Sequence, residues 1–191
     1  MSNERSTHNP SIDALRSKLA ASPPRLGRTR LALIDGPAGS GKTTLAARLA
    51  AALGCAVVHG DDLYEGWDGL ATLWDTLGPR VLEPLARGED ARFRRWDWVR
   101  GARGEWIDVP AADALVIEGV GVAQRRARPY AGLFVYVDAP WEARLARGIE
   151  RDGEGMRGEW ERWQEVEAPF LDAEGTRAAA VVIDGTRPVP D

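Results

Sequence analysis

The segment Gly36-Pro37-Ala38-Gly39-Ser40-Gly41-Lys42-Thr43 constrains this chain more than any other, because it satisfies G-x-x-x-x-G-K-[ST] at every fixed position. Glycines let the backbone curl until successive N–H groups point inward at an anion. The run Arg30-Leu31-Ala32-Leu33-Ile34 before it reads as a buried strand. Thr43–Leu53 after it reads as a helix, with Leu45, Leu49 and Leu53 on one stripe and Gly54 as its stop. Strand, glycine loop and helix are the parts that a phosphate loop requires. The helix adds the unpaired N–H groups and the dipole of its first turn. Lys42 brings a mobile positive charge for β- and γ-phosphates, and Thr43 a hydroxyl for Mg2+. The backbone from Gly36 to Thr44 is the expected cradle, so ATP and Mg2+ are the expected cofactors.

Four more short apolar runs, Ala56–His59, Ala114–Ile117, Leu133–Val137 and Ala179–Ile183, alternate with helical patterns. That order predicts an α/β chain: a P-loop NTPase three-layer α/β/α fold with a mostly parallel five-stranded sheet and a helical lid at about 148–160. Ligands of such sheets sit at the C-terminal strand ends. Residues 1–24 are expected to form a polar segment and short helix, and 25–191 the P-loop domain. Within the first, residues 1–11 are expected to be disordered. A helix over Ser11–Ala21 carries Ile12, Leu15 and Leu19 on one face, with Ser11 as cap and Ser22-Pro23-Pro24 as stop. Trp67–Arg87 is helical in period, with a break expected at Gly78-Pro79. A hairpin is expected to pair Arg92–Trp98 with Glu105–Val109 across Gly101–Gly104. Pro140 is expected at the first position of a helix that ends near Asp152. A glycine-rich break over Gly153–Gly158 and a charged helix over Glu159–Leu171 follow.

Composition narrows the function classes. The 191 residues are 44% hydrophobic and 28% charged, as in ordinary globular chains, and the net charge is −4. No basic stripe of the kind nucleic-acid binders carry is present. No apolar run approaches a membrane span, and no apolar stretch follows Met1–Arg5, so no secretory leader is expected. A single cysteine, Cys55, leaves no internal disulfide, and two histidines, His8 and His59, make a histidine metal site a poor fit. A cytoplasmic protein, monomer or homodimer, acting on a small hydroxyl-bearing molecule is the expectation.

The candidate chemistry follows the strand ends. His59-Gly60-Asp61-Asp62-Leu63-Tyr64 puts two adjacent carboxylates beside the phosphate loop, suited to a general base or to magnesium. Val116-Ile117-Glu118-Gly119 ends a strand in an acid, the placement from which Mg2+ is held directly or through water. Arg144, Arg147 and Arg151 recur at i, i+3, i+7 and can clamp phosphate oxygens. They also suit a solvated face paired with Glu142, Glu150 and Asp152. Trp96-Asp97-Trp98 with Arg100 offers aromatic surface for a flat substrate. The remaining tryptophans, Trp67, Trp74, Trp106, Trp141, Trp160 and Trp163, read as core or amphipathic-face residues, and His59 and Cys55 as structural.

Taken in order, these pieces resemble the uridine kinase and phosphoribulokinase group of P-loop kinases, which includes bacterial-type pantothenate kinase. Asp61-Asp62-Leu63-Tyr64 is similar to the group's Asp-x-Leu/Phe-Tyr element, Trp96-Asp97-Trp98 to its Tyr-Asp-Phe substrate segment, and Ile117-Glu118-Gly119 to its strand-end acid. Arg144-Leu-Ala-Arg147-Gly-Ile-Glu-Arg151-Asp152 follows its R-L-x-R-x-x-x-R-D lid motif, and the likeness spans about residues 30–152. The resemblance implies phosphoryl transfer to a nucleoside- or sugar-like hydroxyl. In it Lys42, Asp61, Arg147 and Arg151 are catalytic, and Asp62 is the second choice of base. The phosphate loop and Arg144 bind nucleotide, and Thr43, Glu118 and Asp61 bind metal. Asp62, Tyr64, Trp96, Asp97, Trp98 and Arg100 bind substrate. Gly101 stands where uridine kinases carry a pyrimidine-contacting histidine, and the group's Glu-Arg-Gly-Arg-Asp continuation after Asp152 is replaced by a Trp- and Glu-rich helix. A nucleoside monophosphate kinase, with Arg94, Arg95, Arg100 and Arg103 holding the acceptor phosphate, is the alternative. A nucleotide-dependent switch acting on a protein is another, although the Asn-Lys-x-Asp guanine-reading motif is missing.

Overall fold

The computed structural model describes residues 8–191. In chain order, α1 (Ile12–Ala20) precedes β1 (Arg30–Asp35), α2 (Lys42–Leu53) and β2 (Val57–His59). Short helices α3 (Leu73–Thr76) and α4 (Glu83–Ala86) follow, joined by a π-helical stretch, Leu77–Leu82. The hairpin β3 (Ala91–Asp97) and β4 (Ala102–Val109) leads into β5 (Ala114–Glu118) and β6 (Leu133–Asp138). Then come α5 (Trp141–Asp152), α6 (Arg157–Glu174), the short α7 (Thr176–Ala179) and β7 (Val181–Asp184).

Five strands form one parallel sheet in the order β2-β5-β1-β6-β7. Period-two alternation sends each strand's side chains to opposite faces, and both faces are covered. On one face Ala32 and Ile34 of β1, Val116 of β5 and Val135 of β6 pack with Ile12, Leu15 and Leu19 of α1 and Leu45 and Leu49 of α2. On the other, Leu31, Leu33 and Ile117 pack with Leu73, Leu82, Phe93 and Trp163. This is the three-layer α/β/α fold of P-loop NTPases. Truncating a fully buried leucine such as Leu33 to alanine would cost roughly 2–5 kcal/mol. No helix among the described residues is long and apolar enough to cross a membrane.

Ser11 caps α1 as expected, accepting from the Ala14 N–H at 3.1 Å. Residues 8–11 depart from the expectation of disorder. Asn9 pairs with the backbone of Asp184 in both directions, at 3.0 and 2.8 Å, which pins this stretch to β7. The rest of that expectation lies outside the described residues.

Gly78-Pro79 does not break the helical run. The π-helical turn is wider than an α-turn and absorbs a residue without an N–H. Gly78 is required there, since a Cβ would meet the Trp74 ring at 2.6 Å. The hairpin turns at Trp98–Gly101, earlier than expected, because the Asp97 carboxylate accepts from the Val99 and Arg100 N–H groups and Gly101 adopts φ +61°. Pro140 is the residue before α5 rather than its first, with an extended ψ of 146°. The glycine-rich segment after α5 is short: one 3-10 turn, Glu154–Met156, and α6 resumes at Arg157.

Candidate active site

The phosphate loop leaves β1 at the sheet's C-terminal edge, between neighbours β5 and β6. Asp35 ends the strand buried, and its carboxylate accepts from Gly36, Gly121 and Ala123 N–H groups at 2.7, 2.7 and 2.9 Å. Burial raises its pKa to about 6 against those three bonds. Gly36 has φ +133°, and a Cβ there would lie 2.2 Å from the Val137 carbonyl, so no other residue fits. Gly39 and Gly41 are also left-handed.

Lys42 is the first residue of α2 and only 7% exposed. Its Nζ donates to the Pro37 carbonyl at 2.9 Å, spanning the loop. The Ser40 hydroxyl is buried in the same loop without a hydrogen-bond partner among the described residues. Ala38 donates its N–H to Glu167 at 2.8 Å. Thr43 donates its hydroxyl to Glu118 at 3.2 Å, and the same Glu118 oxygen pairs with His59 Nδ1 at 2.8 Å. That hydrogen bond raises the His59 pKa. The donor set suits a triphosphate with Mg2+: a left-handed glycine loop at a helix N-terminus, one lysine, and a hydroxyl beside a carboxylate. Mg2+ keeps several waters and needs one or two protein oxygens, so Thr43 and Glu118 suffice.

A cavity of about 390 Å³ opens at this edge. Ala38, Gly39, Lys42, Thr43 and Glu118 form its phosphate end, and Asp61 lines it from the turn after β2. Of the two aspartates only Asp61 lines it. Enclosure raises the Asp61 carboxyl above its ordinary range. Glu118 and Asp62 add to this, while Lys42 and Arg151 oppose it. Asp62 is raised as well, chiefly by burial. Tyr64 lines the cavity with its buried ring, and its hydroxyl donates to the Val120 carbonyl.

The other candidates divide. Trp98 lines the cavity, while Trp96, Asp97 and Arg100 do not. Trp96 lies under Arg103, Asp97 caps the hairpin turn, and Arg100 is exposed near the Asp97 carboxylate. Arg151 lines the cavity, pairs with Asp152 at 2.8 Å and stands over the Trp160 ring at 5.4 Å. Arg147 reaches back to the Gly39 and Gly185 carbonyls at 3.1 and 2.9 Å. It lines a neighbouring recess with Ser40, Gly41 and Thr44. Arg144 is turned inward, paired with Glu167 at 2.7 Å.

Sequence reasoning passed over Trp67, Trp160 and Trp163, which line the cavity, and Glu167, which lies against the loop. For those on α6 the sequence carries one signal. Trp160, Trp163, Gln164, Glu167 and Leu171 form a single buried stripe along α6, and an acid in such a stripe needs a partner.

Fold and site together define a P-loop NTPase-type α/β protein. No protein-family model matches the chain, and no curated protein does. Among solved structures, it is similar to a possible uridine kinase from Bacillus stearothermophilus, with 24% identity, 91% of this chain and 97% of that chain covered, and a TM-score of 0.67. It is also similar to a candidate fructose transport system kinase from Silicibacter sp. TM1040, with 20% identity, 86% and 95% coverage and a TM-score of 0.59. These likenesses show the fold, the kinase-type P-loop fold that the motifs implied.

Proposed function

We propose that the chain is an ATP-dependent, Mg2+-requiring kinase that transfers the γ-phosphoryl group to a hydroxyl of a small molecule. The observation that carries this reading is one cavity lined both by Lys42 and Thr43 of the phosphate loop and by the Asp61 carboxylate. Backbone N–H groups over 36–44 hold phosphate oxygens, and Lys42 leaves the Pro37 carbonyl to balance charge on the β- and γ-phosphates. Mg2+, when bound, lessens the phosphate charge; Thr43 and Glu118, with Asp61 nearby, are the residues that would hold it. Asp61 orients the acceptor hydroxyl. As that oxygen bonds to the γ-phosphorus and the bond to the bridging oxygen breaks, Asp61 takes the proton. A raised pKa makes it a better base near neutrality. Arg151 at the cavity and Arg147 across the loop stabilise charge in transfer.

A monophosphate acceptor would need an unengaged arginine pair. None of Arg94, Arg95, Arg100 and Arg103 lines the cavity, and Arg94 is tied to the Gly104 carbonyl at 2.9 Å, Arg95 to Glu105 at 3.1 Å and Arg103 to Glu65 at 3.1 Å, which favours an alcohol instead. The deciding experiment compares labelled-ATP transfer to alcohols with transfer to nucleoside monophosphates. Faster transfer to a monophosphate refutes the alcohol reading. Failure to bind ATP or GTP with Mg2+ at millimolar concentration refutes the kinase reading.

A further inference from the structure

We propose that the acceptor is a neutral alcohol with a flat, apolar body and a single hydroxyl-bearing arm, rather than a polyol or a nucleoside. This rests on the kinase reading above and concerns the half of the cavity away from the phosphates.

That half is walled by Tyr64, Trp67, Trp98, Trp160 and Trp163, from three separate stretches of chain. The rings brace one another edge to face: Trp67 against Trp98 at 5.5 Å, Trp67 against Trp163 at 5.9 Å, and Tyr64 against Trp163 at 5.4 Å. Edge-to-face pairs hold ring planes in fixed orientations and present ring surface to a guest.

Four of these five rings have already committed their polar tips to protein. Tyr64 donates to the Val120 carbonyl. Trp98 donates to the Asp61 carbonyl at 3.0 Å, Trp160 to the Asp152 carboxylate at 2.9 Å, and Trp163 to the Glu167 carboxylate at 3.0 Å. Met156 and Val120, also in the lining, add only apolar surface. In the aromatic half this leaves the Trp67 indole N–H as a lone ring donor, while Lys42, Thr43, Glu118 and Asp61 stand toward the phosphate end. Arg151 and Asp152 pair through two hydrogen bonds, at 2.8 and 2.9 Å, and the guanidinium nitrogen outside that pair serves the phosphate in transfer.

A sugar or nucleobase in this wall would bury several donors and acceptors without partners, and each unmade bond is a net loss. A flat hydrocarbon or heteroaromatic body loses nothing and gains ring contact and burial. Such aromatic boxes also attract cations. Here, however, the Arg151 guanidinium already stands 5.4 Å over Trp160, so that ring already holds a cation, and choline among the probes tests whether the lining carboxylates Asp61, Glu118 and Asp152 draw in a second.

The test uses the full chain with Mg2+ and labelled ATP, and four probes: 2-naphthalenemethanol, D-ribose, uridine and choline. The naphthyl alcohol is expected to be phosphorylated with kcat/KM at least about tenfold above the others, the scale set by burying even two or three methylene equivalents. Higher kcat/KM for ribose, uridine or choline overturns the inference. Trp98→Ala, at a half-exposed position in the hairpin turn, is expected to raise KM for the naphthyl alcohol about tenfold or more while MgATP affinity stays. Equal KM values also overturn it. Tryptophan fluorescence without nucleotide reads the aromatic wall separately. Saturable quenching by the naphthyl alcohol in a protein that binds no ATP supports the box and refutes only the kinase reading. No saturable quenching at millimolar probe refutes the box itself.

Discussion

Glu167 of α6 accepts a hydrogen bond from the backbone N–H of Ala38 in the phosphate loop at 2.8 Å, across 129 positions of sequence. The same carboxylate pairs with Arg144 of α5 at 2.7 Å and accepts from the Trp163 indole at 3.0 Å. One 1%-exposed side chain thus ties the phosphate loop to both helices behind the cavity. Glu167→Ala leaves the Arg144 guanidinium, 12% exposed, without its carboxylate. The expected loss is roughly 3–5 kcal/mol, the cost of stripping one partner from a buried pair. Glu167→Gln keeps one acceptor oxygen and should lose about 1–3 kcal/mol. Urea unfolding of the three proteins checks both values; an alanine variant as stable as the parent removes Glu167 from this role.

Lys42→Ala and Asp61→Asn separate the two halves of the proposed chemistry. Lys42→Ala removes charge stabilisation during transfer and should lower kcat on the order of 10²-fold or more. Asp61→Asn should lower kcat strongly while ATP affinity changes little, since Asp61 serves the acceptor. Steady-state kinetics beside a direct ATP titration distinguish them. If Asp62→Asn shows the larger kcat defect, the base is one residue further on.

The phosphate end of the site is legible in sequence because its groups are nearly consecutive: a glycine loop, Lys42 and Thr43, flanked by a strand and a helix. Glu118 and Asp61 are legible for a related reason, as acids at the ends of parallel strands that a sheet must bring to one edge. The aromatic wall is not. Trp67, Trp98 and Trp163 meet only when the segment after β2, the hairpin turn and α6 pack together, and no local pattern marks that meeting. Trp96 and Trp98 look equivalent in sequence, yet a register irregularity between Arg94 and Trp96 accompanies their parting, and only Trp98 reaches the cavity. The Gly78-Pro79 turn hid for another reason: proline inside a helix removes one backbone hydrogen bond and so reads as a break, and propensity says nothing of the wider turn that accepts it.

Gly148 of α5 is the contact on which Trp160 rests. A Cβ there would stand 2.4 Å from the indole ring. Alanine gains about 1 kcal/mol of helix propensity, but overpacking costs about 1–3 kcal/mol, so Gly148→Ala should be net destabilising. It should also push Trp160 toward the cavity and raise the acceptor KM. Denaturation midpoint and KM measured together test this; a more stable variant would show that the helices part without cost.

Asp61 must be ionised to take a proton, so activity should rise with pH as it deprotonates. Enclosure puts that limb above the ordinary aspartate value of 3.8. Arg151 is one of the charges that lower it. Arg151→Gln should therefore move the acid limb of kcat/KM to higher pH, apart from any loss in rate. Profiles that superimpose after scaling would mean Arg151 does not act on Asp61.

Asp35 gives the fold itself a pH signature. Its pKa is raised from 3.8 to about 6, with burial outweighing three backbone N–H bonds. A raised native pKa means the folded chain holds this proton more tightly than the unfolded chain. The resulting stabilisation is complete below about pH 4 and is lost as pH rises through 6. A shift of that size is worth on the order of 3 kcal/mol at 1.36 kcal/mol per unit. Asp35→Asn cannot titrate, and its amide presents N–H where Gly36, Gly121 or Ala123 also donates, so it should be less stable than the parent at every pH. Its deficit should be larger at pH 4 than at pH 7, by up to about 3 kcal/mol. Urea unfolding of both proteins at the two pH values decides this; parallel stability curves would mean that Asp35 carries the same proton load in the folded and unfolded chains.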